Sequence, residues 1–230
     1  MKRILIQTRW QLVLLSRYNI LSVAIAMAIF YALLFIIFPV TRVDEFTGYA
    51  IFSDPGQLGF IFIGAMVLFE KSENTFPAQN ITPMSNGEYL WAKAMALLVP
   101  TLIGSLAIAF AAWQTDFHII LLTITVIATS LLFTFLGFSG VARVKTFNQY
   151  MLIIPVFLAP TALPLLNFLT ITHWKILYII PTQSVLSLLK ICRSDTINWL
   201  EVTLHFAYLT AWIYLAYRLA LNYYNKYLVK

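Results

Sequence analysis

The sequence predicts an all-α membrane protein with six transmembrane helices, and three observations carry that prediction. The chain is 61% hydrophobic and only 10% charged, with a mean hydropathy of +0.83. A soluble domain is closer to about 45–50% apolar and about 25% charged, and its surface would still demand polar cover. Long apolar runs also recur at lengths of about 20 residues, the number a helix needs to cross a hydrocarbon core of about 30 Å. Finally, lysine and arginine are spread unevenly over the segments between those runs, as membrane topology requires.

The elements follow in chain order. Residues 1–18 precede the first run, and their apolar residues form no clean stripe on a helical wheel. Arg9, Trp10 and Arg17 suit a helix lying at the inner membrane surface, with a plain extension of the first span as the alternative. Lys2 and Arg3 before apolar residues imitate a signal peptide, but the long run begins only near Ile20 and no small-x-small cleavage site follows. The segment therefore reads as retained. The first span is Ile20–Val40. The second, Gln57–Phe69, is short and reaches a usable length with Ser53 and Asp54 at the interface. Leu90–Trp113 is the third, with Lys93 near its start, and Ile119–Val141 is the fourth. Tyr150–Thr170, the fifth, holds Pro155, Pro160 and Pro164. Trp199–Tyr217 closes the set, so residues 1–230 form a single transmembrane domain.

An even number of spans puts both termini on one side. With the termini cytoplasmic, eleven of the fifteen basic residues fall inside, and Arg42, Lys175, Lys190 and Arg193 remain outside. The prediction is a multi-pass protein of the cell (inner or cytoplasmic) membrane with both termini in the cytosol. The +6 formal charge reports this topology rather than nucleic-acid binding. Between the fifth and sixth spans, His173–Asp195 is too interrupted by Pro181 to cross and too apolar for a plain loop. Two short helices dipping back from the outer side, hinged at Pro181-Thr182, fit it. The single cysteine, Cys192, reads as a free thiol, with a dimer bridge as the alternative.

The polar stretch Glu70–Tyr89 lies between spans two and three, on the cytoplasmic side. Pro77 and Pro83 each break helix, and Ser85-Asn86-Gly87-Glu88 reads as a capping box that starts the third span. A simple reversal needs far fewer residues, so the stretch reads as a structured elbow. Three groups of residues in it carry a family resemblance: Glu70-x-x-Glu73-x-Thr75, Thr82-Pro83-Met84-Ser85, and Glu88-Tyr89-Leu90-x-x-Lys93. Together with the aromatic-x-x-Pro-Thr element in Tyr178–Leu189, they resemble the membrane subunits of ABC-2 type exporters. The nearest likeness is to small drug-type permeases, fluoroquinolone-export-like subunits among them. Asn74 stands where the family has glycine, and Pro77 and Asn80 interrupt a stretch that is usually more apolar.

The resemblance implies that the elbow is a coupling helix that docks on a separate ATPase subunit. Glu70, Glu73 and Thr75 would anchor it, and Pro83, Ser85 and Glu88 would fix its exit into span three. It also implies pairing with a second copy or a similar permease, and a substrate route lined by spans one, two and five. Pro155, Pro160, Pro164 and Pro181 would supply gating bends, ordinary kinks being the plainer alternative. The implied cargo is apolar or amphipathic.

The chain carries no nucleotide motor of its own. No glycine is followed by lysine, so a phosphate-cradling P-loop is absent, and ATP and Mg would sit on the partner. None of the nine acidic residues lies at mid-membrane depth, which argues against a proton- or sodium-driven carrier. No metal motif or cofactor-binding motif occurs.

Two rival readings remain. Gly137–Gly140, "GFSG", matches the G-x-S-G of rhomboid proteases, with Ser139 and His205 as a dyad. The two lie at opposite ends of their spans, roughly 20 Å apart along the membrane normal, whereas a dyad needs about 3 Å. Close helix packing is the plainer role for the glycines. A structural or assembly protein without transport would explain six spans but not a structured elbow.

Overall fold

The computed structural model describes residues 2–37, 43–76 and 82–228. All regular structure there is helical: α1 (Lys2–Arg17), α2 (Ile20–Ile37), α3 (Val43–Ile51), α4 (Gln57–Ser72), α5 (Asn86–Trp113), α6 (Ile119–Val141), α7 (Phe147–Ala162), α8 (Leu165–Phe168), α9 (Pro181–Ile191) and α10 (Trp199–Tyr227). A π-turn, Phe52–Gly56, joins α3 to α4, and a 3-10 turn, Lys175–Ile179, precedes α9. Three helical segments are long and apolar enough to cross a membrane: Asn86–Trp113, Ile119–Val141 and Phe147–Phe168. The α1–α2 pair makes a fourth if counted as one bent span.

The bend between α1 and α2 is 70°. Asn19 makes it, with φ 57°. Asparagine is among the few residues that enter the left-handed region at low cost. Helix α1 turns Leu5, Ile6, Trp10 and Val13 outward, with exposed Arg9 and Arg17 beside them, and buries Gln11. Its apolar stripe thus faces away from the protein, which suits a helix resting in a membrane interface. The wheel looks mixed because the inward face is itself partly polar.

α6 sits at the centre. It packs on α4, α10, α5, α9 and α7, while α5 holds α1, α2 and α3 on its other side. The α4–α6 crossing is close because its contact points are small. A Cβ at Gly137 would lie 2.7 Å from the backbone of Phe60, and one at Gly59 would lie 2.5 Å from Thr134 Oγ1. Helices in lipid associate by such packing, since lipid tails are as apolar as leucine. Gly64 likewise faces the ring of Tyr150 from α7, whose hydroxyl donates to the Phe60 carbonyl. Some buried hydroxyls mid-helix return to their own backbone, as Thr101 does to Leu97 and Thr125 to Leu121, each at 2.8 Å.

Some boundaries differ from the sequence reading. Helix does not begin near Ser53. It begins at Val43 and runs on through the π-turn, because Thr47, Ala50, Ile51 and Phe52 are buried in the bundle rather than placed at an interface. The fifth apolar segment breaks at Pro164, which caps the short α8. The last helix runs ten residues beyond Tyr217, because buried Ala220 and Tyr224 continue its packed face. Residues 38–42 lie outside the described residues, and with them the end of the first predicted span and Arg42.

Candidate functional site

The predicted elbow is flanked by two helix ends that the structure locks together. α4 closes with a full Schellman motif. Thr75 N donates to Glu70 O at 3.1 Å and Asn74 N to Lys71 O at 3.3 Å, with Asn74 at φ 53°. Asn74 therefore occupies the left-handed position that favours glycine, the residue the motif resemblance implied there. The Thr75 hydroxyl adds a second bond to Glu70 O at 3.1 Å. On the other flank, Ser85 and Glu88 form the capping box: Glu88 N donates to Ser85 Oγ at 3.2 Å, and Ser85 N donates to Glu88 Oε2 at 2.8 Å. The break at Phe76-Pro77 and the positions of Gln79 and Asn80 lie outside the described residues, apart from Phe76, which is buried.

A buried polar cluster joins the two flanks. Lys93 Nζ lies 2.8 Å from Glu70 Oε1, with side-chain exposures of 0% and 8%. The Tyr89 hydroxyl donates to Glu70 Oε2 at 2.5 Å. Gln11, from α1, bridges the pair: its Nε2 donates to Glu70 Oε1 at 3.4 Å and its Oε1 accepts from Lys93 at 3.2 Å. Every member has a partner, which a buried charged network needs if it is not to destabilise the fold. Glu70 is thus an interior anchor, while Glu73, Pro83 and Ser85 are exposed and Thr75 and Glu88 are half-buried.

Three further contacts fasten the junction. The Tyr18 hydroxyl donates to Glu73 Oε1 at 2.9 Å, and its ring stacks on Phe69 at 4.4 Å. Burial, with the Glu73 hydrogen bond, pushes the Tyr18 phenol up to about 12, so it stays a neutral donor at physiological pH. Arg3 donates to Pro83 O at 2.8 Å, tying the start of α1 to the elbow's exit. Lys71 Nζ donates to the carbonyls of Val141, Ala142 and Val144 at 2.9, 3.1 and 2.6 Å, and so caps the end of α6. Asn86 Nδ2 also reaches Asn225 Oδ1 on α10 at 2.7 Å. Helices α1, α4, α5, α6 and α10 therefore meet at one end of the bundle, around the elbow.

Gln11, Tyr18 and Lys71 were not singled out from the sequence. Lys93 offered a signal: a lysine one turn into an apolar span calls for a buried partner, and Glu70 is the acid within reach. Gln11 gave none, because a neutral amide on a surface helix is unremarked by pattern.

The other predicted residues sit apart from the junction. Pro155 and Pro160 lie within α7, Pro164 caps α8, and Pro181 occupies the first turn of α9. α7 buries only Tyr150 and leaves Leu152 and Val156 76% and 68% exposed, so its prolines lie on a loosely held helix. Of the two short helices expected before the last span, the structure forms one α-helix, α9, and a 3-10 turn, Lys175–Ile179, with Pro181 opening α9. Ser139 and His205 do not meet. The Ser139 hydroxyl donates to Phe135 O at 3.0 Å, and His205 Nδ1 pairs with Ser184 Oγ at 3.1 Å. The structure opposes a protease dyad. Among the described residues no group of three or more His, Cys, Asp and Glu side chains could hold a metal ion, and Cys192 is a buried free thiol.

Comparison with known proteins agrees with the motif reading. A family profile described as Fluoroquinolones export permease protein family matches residues 2–230. Two relatives from Mycobacterium tuberculosis are each 30% identical over 193 residues, covering 82% of this chain and 80% of theirs. They are the Fluoroquinolones export permease protein MT2761 of strain CDC 1551 / Oshkosh and the Fluoroquinolones export permease protein Rv2687c of strain ATCC 25618 / H37Rv.

Proposed function

The chain belongs to the fluoroquinolones export permease family, and from that premise we propose that it is the membrane-spanning subunit of an ATP-driven ABC exporter. It moves an apolar or amphipathic substrate out of the cell with energy from ATP and Mg bound by a separate ATPase subunit. It acts with a second copy or a similar permease. It is not itself an enzyme. In this reading the six spans are α2, the α3–α4 pair, α5, α6, α7 with α8, and α10, and both termini lie in the cytosol.

The observation that carries the proposal is the elbow junction. A fully satisfied buried ion pair, Glu70–Lys93, stands behind an exposed surface made of Glu73, Pro83 and Ser85. Five helices converge there. A push on that surface would be delivered to helices rather than absorbed by a slack loop, because the side chains behind it are paired and packed. No glycine in the chain is followed by lysine, which supports a push that comes from another polypeptide.

The test is co-purification. Co-expressed with its ATPase, the wild-type chain is expected to bring the ATPase through purification and to show substrate-stimulated hydrolysis in vesicles. Glu73→Ala, or deletion of Gln79–Met84, should abolish both. A variant lacking that segment that still binds the ATPase and still responds to substrate would refute the coupling role.

A further inference from the structure

The end of the bundle opposite the elbow holds a second built site. α10 connects the two ends: Asn225, near its close, bonds Asn86 beside the elbow, and Glu201 stands in its first turn. A cavity of about 800 Å³ opens around that first turn, between α8, the 3-10 turn, α9 and α10. Its wall carries both signs of charge. Lys175 and Lys190 contribute ammonium groups, and Glu201 contributes a carboxylate. Among the described residues neither lysine is held in an ion pair, and Glu201 meets only His205, at 3.8 Å. Gln183 lines the same cavity at 6% exposure, and its Oε1 has no hydrogen-bond partner. A buried acceptor left unpaired is costly, and such groups are uncommon unless a ligand or water completes them.

The side chains near the cavity are those of a membrane interface. Trp174 and Trp199 are both exposed, as aromatic residues at headgroup level are expected to be. Ile176, Tyr178 and Ile179 of the 3-10 turn are exposed beside Lys175, and Tyr178 also lines the cavity. A ligand with a charged part in the cavity and an apolar part along the turn would cover both surfaces. The wall defines the charged part. Two ammonium groups call for an anion. A carboxylate and an unmet carbonyl oxygen call for a cation that still has N–H hydrogens to donate. A primary ammonium meets that demand, and a quaternary ammonium, which has no N–H, does not.

We propose that this cavity holds the headgroup of a phospholipid whose phosphate ester carries a primary ammonium, as in phosphatidylethanolamine. The phosphate pairs with Lys175 and Lys190, the ammonium donates to Glu201 and Gln183 Oε1, and the acyl chains lie along the 3-10 turn. The lipid is a resident of the fold that ties α9 to α10, distinct from whatever the chain carries.

The test is native mass spectrometry of the full chain in detergent, titrated with dioleoyl lipids that differ only in headgroup. Dioleoylphosphatidylethanolamine should bind roughly tenfold more tightly than dioleoylphosphatidylcholine, which lacks N–H donors, or dioleoylphosphatidylglycerol, which lacks the cation. Glu201→Gln should weaken the ethanolamine lipid roughly tenfold and leave the choline lipid unchanged. Lys175→Gln with Lys190→Gln should weaken all three, since each has the phosphate. Gln183→Leu should weaken the ethanolamine lipid alone. The lysine and glutamate positions are exposed, so their variants keep the test valid if Gln183→Leu fails to fold. The ethanolamine lipid should also raise the unfolding temperature of the wild type more than that of Glu201→Gln. Equal binding of the three lipids, or variants that bind as the wild type does, overturns the site. Free phosphoethanolamine that binds as tightly as the lipid, measured by calorimetry, assigns the cavity to a soluble ligand and overturns the lipid. Either failure leaves the ATP-driven reading standing, and a chain that never engages an ATPase leaves the lipid site standing.

Discussion

Replacing Lys93 with methionine is expected to destabilise the protein by about 3–5 kcal/mol, the usual cost of leaving one member of a buried ion pair alone. The structure explains why the cost should fall in that range rather than near the roughly 0–1 kcal/mol of a surface pair. The ammonium is fully buried and the carboxylate nearly so, 2.8 Å apart. Without Lys93, the Glu70 carboxylate keeps only neutral donors, Tyr89 at 2.5 Å and Gln11 at 3.4 Å. Those hydrogen bonds soften the loss but cannot neutralise a charge held away from water. Methionine matches the lysine stem in volume, so no large cavity adds to the effect. Glu70→Gln should cost a similar amount, because it strands the ammonium. The double variant, Lys93→Met with Glu70→Gln, should recover most of the loss, since a buried pair replaced by neutral groups of similar size is often close to neutral. Thermal unfolding in detergent, followed by tryptophan fluorescence, reads the effect. At about 2–4 °C per kcal/mol for a chain of this size, each single variant should lose about 6–20 °C. A single variant within about 2 °C of wild type, or a double variant whose loss is the sum of the singles, would show that Glu70 and Lys93 are not coupled as described.

Other expectations follow from the same geometry. Asn74→Gly should be neutral or slightly stabilising, whereas Asn74→Val should cost about 1–2 kcal/mol, because φ 53° is hostile to a β-branched residue; the same unfolding assay ranks them. Ser85→Ala removes the α5 cap and should cost about 1 kcal/mol, with faster amide exchange confined to the first turn of that helix. Gly137→Ala would place a Cβ 2.7 Å from the Phe60 backbone, which cannot move aside as a side chain can. A sharp fall in monodisperse yield on gel filtration is expected for it. Ser139→Ala, by contrast, should leave transport intact in a vesicle uptake assay, since the hydroxyl only returns to its own helix.

Much of the bundle was legible because lipid simplifies the pattern. Ile119–Val141 was bounded correctly to the residue by its uncharged run, and Ser85–Glu88 by its capping chemistry. The break between the 3-10 turn and α9 was legible from Pro181. Val43–Ile51 was not legible as helix. Its residues are held by burial against α5 and α9, and tertiary contact of that kind leaves little periodic trace in nine residues. In the junction, the sequence pointed to Glu70, Glu73 and Ser85 as local signals. It could not point to Gln11, Tyr18 or Lys71, whose partners lie 59, 55 and about 70 positions away along the chain. Contacts at such separations are set by how the helices cross, and no window along the chain contains both halves.

The inverted amphipathicity of α1 constrains how that helix can move. Rolling it about its own axis would turn exposed Trp10 and Leu5 toward the protein and pull Gln11 from between Glu70 and Lys93. Tilting it as a lever about Asn19 would carry Gln11 and Arg3 with it, so α1 and the junction move together. The outward apolar stripe and the inward polar anchor thus belong to one rigid lever, and whatever takes hold of that stripe is geared to the junction.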